Sequence, residues 1–119
     1  MDVRRVERAL TRFPTAFLQR ISSCDEETEG LSQPALTAAK RFAAKEACSK
    51  ALGVGIGRLL SFQDITVKHG LRGPPQLAVA PKALRRIFSA HAPDRIRLDL
   101  SLSDEYPYVQ AFVVASLRA

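Results

Sequence analysis

A chain of 119 residues favours one domain spanning 1–119, and 46% hydrophobic with 25% charged residues is an ordinary globular composition. The net charge of +6 makes polyanions or acidic proteins suitable partners without choosing between them. No apolar run is long enough to span a membrane, the basic start Asp2-Val3-Arg4-Arg5 does not read as a signal peptide, and Cys24 and Cys48 lack metal-ligand spacing, so free thiols in a reducing cytoplasm are expected.

In chain order, Val3, Val6, Ala9 and Leu10 have helical spacing over 3–12, with Arg4, Arg5, Arg8 and Arg12 on the other face. Pro14 interrupts, and Ala16-Phe17-Leu18 with Ile21 makes a second short helical turn. Over 22–33, Ser23 ahead of Asp25, Glu26 and Glu27 predicts a capped short helix ended by Gly30. Pro34 suits a first helical turn, and nothing breaks the helix from Ala35 to Leu52. Gly53 ends it, and Gly53-Val54-Gly55-Ile56-Gly57 follows as a loop. A dinucleotide fold needs a strand before such a glycine string, and here a helix precedes it.

Ile65–Val67 and Leu77–Val79 read as strands around the turn chemistry of His69-Gly70-Leu71-Arg72-Gly73-Pro74-Pro75. Residues 82–91 form a basic helix with Leu84, Ile87 and Phe88 on one side, closed by Pro93. Ile96, Leu98, Leu100 and Leu102 alternate with polar residues as a half-buried strand; Asp104-Glu105 begin a turn, and Val109–Leu117 is a last strand. Helices first and hairpins later predict an α+β fold with an antiparallel sheet against the long central helix. Phe42, Cys48, Leu52, Phe62, Phe112 and Val113 are expected in the core. His69 and His91 are expected to face solvent rather than catalyse.

The most informative stretch is 41–53. Glu46 and Lys50 lie one turn apart on one face, and Arg41 shares another face with Lys45. A metal-seeking carboxylate and several phosphate-seeking cations on one rigid element suit chemistry on a phosphate ester. The plainer account of Glu46 and Lys50 is an exposed ion pair four residues apart, worth about 0.2–0.5 kcal/mol.

Arg41-Phe-Ala-Ala-Lys-Glu-Ala-Cys-Ser-Lys-Ala-Leu-Gly-Val-Gly-Ile-Gly57 resembles, over its full length, the R-F-A-x-K-E-A-x-x-K-A-x-G-x-G-I block of bacterial holo-(acyl-carrier-protein) synthases, in the 4′-phosphopantetheinyl transferase superfamily. Ser61–Ile65, Gly73-Pro74-Pro75, Ser101–Tyr106 and Ala111–Val114 resemble later family segments, so the likeness covers nearly the whole chain. It implies the superfamily's fold and transfer of 4′-phosphopantetheine from coenzyme A to a serine of acyl carrier protein, with adenosine 3′,5′-bisphosphate as the other product. It further implies Mg²⁺ bound by Glu46, a pyrophosphate held by Lys50, and Arg41 and Lys45 as cationic neighbours of coenzyme A. Pro75 would border the adenine, and Ser101 and Ser103 the nucleotide side of the last hairpin. The partner supplies the nucleophile, and its proton must go to a metal-bound water or to Glu46. An acidic acyl carrier protein would dock on Arg5, Arg8, Arg12 and Arg20 with Phe17 as an apolar anchor. A homotrimer with sites between subunits is the implied assembly.

The chain departs from the family pattern in two places. The family opens with a strand bearing G-x-D-I-V, whose aspartate is the second metal carboxylate; here Met1 stands at the valine of that motif and Asp2 one position later. The aspartate is thus expected just before Met1, in an ordinary enzyme with a misplaced start or in a natural short form without it, and Asp2 is not its replacement. Asp104 stands where many members carry histidine. Three functions compete: a Mg²⁺-dependent phosphopantetheinyl transferase for fatty acid biosynthesis, an inactive relative that only binds acyl carrier protein or coenzyme A, and a basic nucleic-acid-binding domain. The last lacks aromatic interleaving and a motif.

Overall fold

Asp2 starts the first helix. Its carboxylate accepts the Arg4 N–H at 2.9 Å, capping α1, Val3–Arg12, as an N-cap aspartate does. The computed structural model describes residues 1–68 and 73–119, so His69 and the first part of its turn lie outside the described residues. Val3 and Val6 are buried along α1, and Arg4, Arg5, Arg8 and Arg12 are exposed, as the spacing predicts. After Pro14 the chain makes α2, Ala16–Ile21, which buries Leu18 and Ile21.

The short helix expected in 22–33 does not form. Glu26 turns inward, and one of its oxygens accepts the Ser23 N–H at 2.8 Å. The acid thus closes a turn on the residue that was to cap it. Gly30 does punctuate the segment, with φ +69, a conformation that costs other residues a Cβ clash.

Pro34 opens α3, Pro34–Ala51, and Gly53 with φ +82 lets the chain leave it. The fully buried Ala38, Ala39 and Ala44 keep α3 slim enough to be packed on more than one side. One core lies between α1, α2 and the N-terminal half of α3, with Val3, Val6, Leu18, Ile21 and Ala39. The other joins Cys48 and Leu52 near the end of α3 to Leu60, Ile65 and Leu84.

The strands pair as two antiparallel hairpins. In the first, β1, Ile65–Lys68, runs against β2, Gln76–Val79, with Ile65 opposite Val79. A helix α4, Pro81–Ile87, follows. It is shorter than the predicted 82–91 because Ser89-Ala90-His91-Ala92 offer no apolar face to bury. In the second hairpin, β3, Ile96–Glu105, runs against β4, Tyr108–Leu117. Asp104 and Glu105 do not begin the turn: they still pair with Val109 and Tyr108, and Tyr106-Pro107 makes the reversal.

β4 packs its inner face on α3. Val109 is fully buried there, and the two-residue alternation puts Val113 on the same side and Phe112 on the other. Phe112 is 66% exposed, so its expected core position is corrected. Adjacent residues of one strand cannot both point inward.

The N-terminus adds to this hairpin. Met1 and Val109 exchange hydrogen bonds of 2.9 and 2.8 Å, and Asp2 bridges to Tyr108. Residues 1–2 therefore run antiparallel along the edge of β4.

Candidate functional site

Glu46 and Lys50 open from α3 onto a groove of about 510 Å³, bounded across from them by Met1, Arg5 and the β4 residues Val109 to Phe112. Phe42 and Ala43 supply apolar wall, and the exposed Phe112 stands at the rim. Glu46 is the one carboxylate among the described residues that line the groove. Glu46 and Lys50 make no ion pair within 4.0 Å with each other or with any other described residue. The plain helix-surface pair is therefore not formed, and an acid and an ammonium face a common space unspent.

Arg5 was expected on the partner-docking face with Arg8, Arg12 and Arg20. It is exposed like them, and it also lines this groove. The site thus combines one carboxylate with two cations, Arg5 and Lys50, from two helices. Phe17 is half-buried against the α1–α2–α3 core and leaves part of its side chain exposed. Phe13, which with Arg5, Phe17 and Arg20 falls on a family position in the ungapped resemblance, is 53% exposed with the Arg12 guanidinium 5.4 Å from its ring centre.

Arg41 and Lys45, the expected cationic neighbours of coenzyme A, do not line the groove. Lys45 is fully buried, and its Nζ donates to Glu26 Oε1 at 2.5 Å, Ile21 O at 2.6 Å and Phe62 O at 3.2 Å. Arg41 is 8% exposed and donates to Ser22 Oγ at 3.1 Å, with its Nε 3.8 Å from Glu26. One residue of helix is about 100° of rotation, so Lys45 points away from Glu46 into the cover made by α2 and the 22–26 turn. Burial pulls the Lys45 ammonium below its usual range, and the Glu26 carboxylate opposes that pull. Glu26 also accepts the Val67 N–H at 2.9 Å, so four donor groups surround one buried carboxylate. Apart from the local Ser23 N–H, no short-range pattern marks Glu26: its Lys45 and Val67 partners lie 19 and 41 residues away.

Pro75 lines a different groove, of about 560 Å³, between the start of β2 and residues Arg97–Leu100 of β3. Ser101 and Ser103 are exposed on β3, opposite Phe112 and Gln110. Within one chain none of the three lines the Glu46 groove. Asp104 holds Lys40 at 3.2 Å and so ties the hairpin to α3. His91 is half-buried and does not line the groove. In the glycine loop, the N–H groups of Val54 and Gly55 both donate to Ser49 O at 3.1 Å. The loop closes the helix end instead of opening a phosphate-binding helix. Asp2 is spent on the Arg4 guanidinium and on the Arg4 N–H of α1, which hold its carboxyl down at about 2.

The donor set tests the metal. Among the described residues no three His, Cys, Asp or Glu side chains gather, which excludes an all-protein cage there. Mg²⁺ bound by one or two carboxylates with phosphate oxygens completing its shell fits Glu46 in an open groove.

The chain matches the family model described as the 4′-phosphopantetheinyl transferase superfamily over residues 1–109. It is 47% identical over 115 residues to a holo-(acyl-carrier-protein) synthase of Vibrio vulnificus, spanning 95% of this chain and 89% of that protein. The crystal structure of holo-(acyl-carrier-protein) synthase from Neisseria meningitidis superposes with a TM-score of 0.83 at 38% identity, over 98% of this chain and 92% of the other. That of the Helicobacter pylori synthase in complex with coenzyme A superposes at 0.75 with 31% identity, over 98% and 95%. With the helix block, the hairpins and the unpaired Glu46–Lys50 face all in one fold, the chain belongs to the 4′-phosphopantetheinyl transferase superfamily, in its holo-(acyl-carrier-protein) synthase family.

Proposed function

We propose that this protein transfers 4′-phosphopantetheine from coenzyme A to a serine hydroxyl of apo-acyl carrier protein, in service of fatty acid biosynthesis. The products are holo-acyl carrier protein and adenosine 3′,5′-bisphosphate. The observation that carries this reading is the groove in which Glu46 and Lys50 remain free of each other beside Arg5. Relatives named as holo-(acyl-carrier-protein) synthases, one of them holding coenzyme A, support the same substrates.

Phosphoryl-group transfer needs positioning and charge neutralisation more than covalent catalysis. Lys50 is placed to hold the pyrophosphate and to offset the charge that grows on the leaving bisphosphate. Glu46 would hold Mg²⁺, and the ion, when bound, supplies further neutralisation of the phosphates. Glu46 is also the carboxylate within the groove available to the acceptor serine's proton. Arg5 bridges the groove and the basic face of α1, so it suits an acidic carrier brought up to the site. Arg8, Arg12 and Arg20 would steer that carrier, with Phe17 as anchor.

Pro75, Ser101 and Ser103 fit a nucleotide contact only if the site is built between subunits. A homotrimer would do this, and the outward-facing Phe112 and Val114, with Leu117 at the end of β4, 66%, 62% and 50% exposed, are the apolar surface it would cover. The exposed Cys24 and buried Cys48, both free, suit the cytoplasm.

The test is a mass gain on apo-acyl carrier protein incubated with coenzyme A, Mg²⁺ and this protein. That gain is expected, and Glu46→Ala should abolish it with the fold intact. A fully active Glu46→Ala variant would remove the metal-ligand role. A protein that binds carrier without transferring would favour an inactive relative.

A further inference from the structure

The C-terminal carbonyls of a helix lack intrahelical partners, and α2 has its last two held from outside. Arg20 O accepts from Gln63 Nε2 at 2.5 Å, and Ile21 O accepts from Lys45 Nζ at 2.6 Å. Gln63 lies in the 3₁₀ turn Phe62–Asp64, and Lys45 also holds Phe62 O from that same turn. Behind them, Glu26 fixes the Lys45 ammonium and ties the 22–26 turn to the Val67 N–H, while Ser23 and Thr66 share a hydrogen bond of 2.6 Å. Among the described residues no buried side-chain polar atom is left without a partner. A network of this kind has one arrangement that satisfies every member, and any shift of α2 strands several at once.

Lys45 directly precedes Glu46 in α3. The same backbone segment that aims Glu46 into the groove therefore fixes where α2 ends. We infer that Lys45, Glu26 and Gln63 form a clamp that positions α2, with its exposed Arg20 and partly exposed Phe17, relative to Glu46, and so sets the geometry in which an acidic carrier domain meets the site. This rests on the proposed carrier docking. These are positioning residues; none lines the groove.

Two titrations on each preparation separate carrier geometry from simple stability: affinity for apo-acyl carrier protein and affinity for coenzyme A. Amide hydrogen exchange over Leu18–Ser22 reports α2 without any ligand. Lys45→Met and Gln63→Ala should each weaken carrier binding, Lys45→Met by about tenfold, with coenzyme A affinity unchanged within about twofold. Exchange should speed up in α2 before it does in α3. The Gln63 side chain is on an exposed residue, so Gln63→Ala carries the test if Lys45→Met does not fold. Folded variants with unchanged carrier affinity overturn the inference, and so does an equal loss for both ligands. Unaltered exchange in α2 overturns the clamp itself. A native protein that binds no carrier overturns the docking reading instead, and the exchange data still judge the clamp.

Discussion

The two charged faces of α3 carry ionisable residues at the same spacing and put them to opposite ends. On one, Glu46 and Lys50 stand a turn apart, face a groove and remain unpaired. On the other, Arg41 and Lys45 stand a turn apart and are sunk against Glu26. The difference lies wholly in what covers them. A face left open by the meeting of α1, α3 and β4 keeps its charges available for a ligand. A face roofed by α2 and the 22–26 turn must neutralise its charges internally, because an unpaired buried ion costs several kcal/mol. Charge on a helix therefore says little about chemistry until the covering elements are known.

The largest expected effect tests this contrast through stability. Lys45→Met takes the 2.5 Å ammonium from the buried Glu26 carboxylate, leaving Arg41 at 3.8 Å as its ion-pair partner among the described residues, and strips donors from Ile21 O and Phe62 O. Removing one partner of a buried pair costs about 3–5 kcal/mol. Glu46→Gln, on the open face, should change unfolding free energy by no more than about 0.5 kcal/mol. Denaturant titrations of the two variants measure both. If the two substitutions cost the same, the distinction between the faces fails.

Next comes the rate. Lys50→Met removes the ammonium from the groove without disturbing a described ion pair, so the fold should hold. Loss of a group that offsets developing charge costs about 10²–10³-fold in turnover. Steady-state rates with coenzyme A and carrier, alongside an unfolding curve, would show a purely kinetic defect. A matching loss of stability would mean that Lys50 belongs structurally with Lys45.

Much of this contrast was within reach of the sequence, and the limits have physical causes. Helical periodicity and the Pro34 and Gly53 signals located α3, since they act within a few residues. Strict alternation located β3. The run Val109–Val114 has little polar punctuation, so periodicity could not say which of Phe112 and Val113 faces in; only the register with β3 decides it. The resemblance marked the 41–50 block as one unit but not its division into a groove face and a buried face. That division depends on Glu26, whose turn reaches α3 and β1 only in the folded chain. Arg5 entering the groove likewise depends on where α1 crosses α3.

The smallest expected effect sharpens the comparison at a third position on α3. Cys48 is fully buried, and burial pushes its thiol from 9.0 up to about 12. Between those values the unfolded chain has released the thiol proton and the native chain still holds it. The unfolded state then binds fewer protons, so stability falls as pH rises above about 9, by at most about 1.4 kcal/mol per pH unit from this group. Cys48→Ala removes that contribution while leaving the other titrating groups in place. Unfolding free energies at pH 8 and pH 10 should therefore decline more steeply for the native chain than for Cys48→Ala. A thiol reagent at pH 8 should meanwhile modify the exposed Cys24 in the folded protein and reach Cys48 only on unfolding. Rapid double modification of the folded chain would place Cys48, like Glu46, on an open side of α3, and the helix would then have no sealed flank at that level.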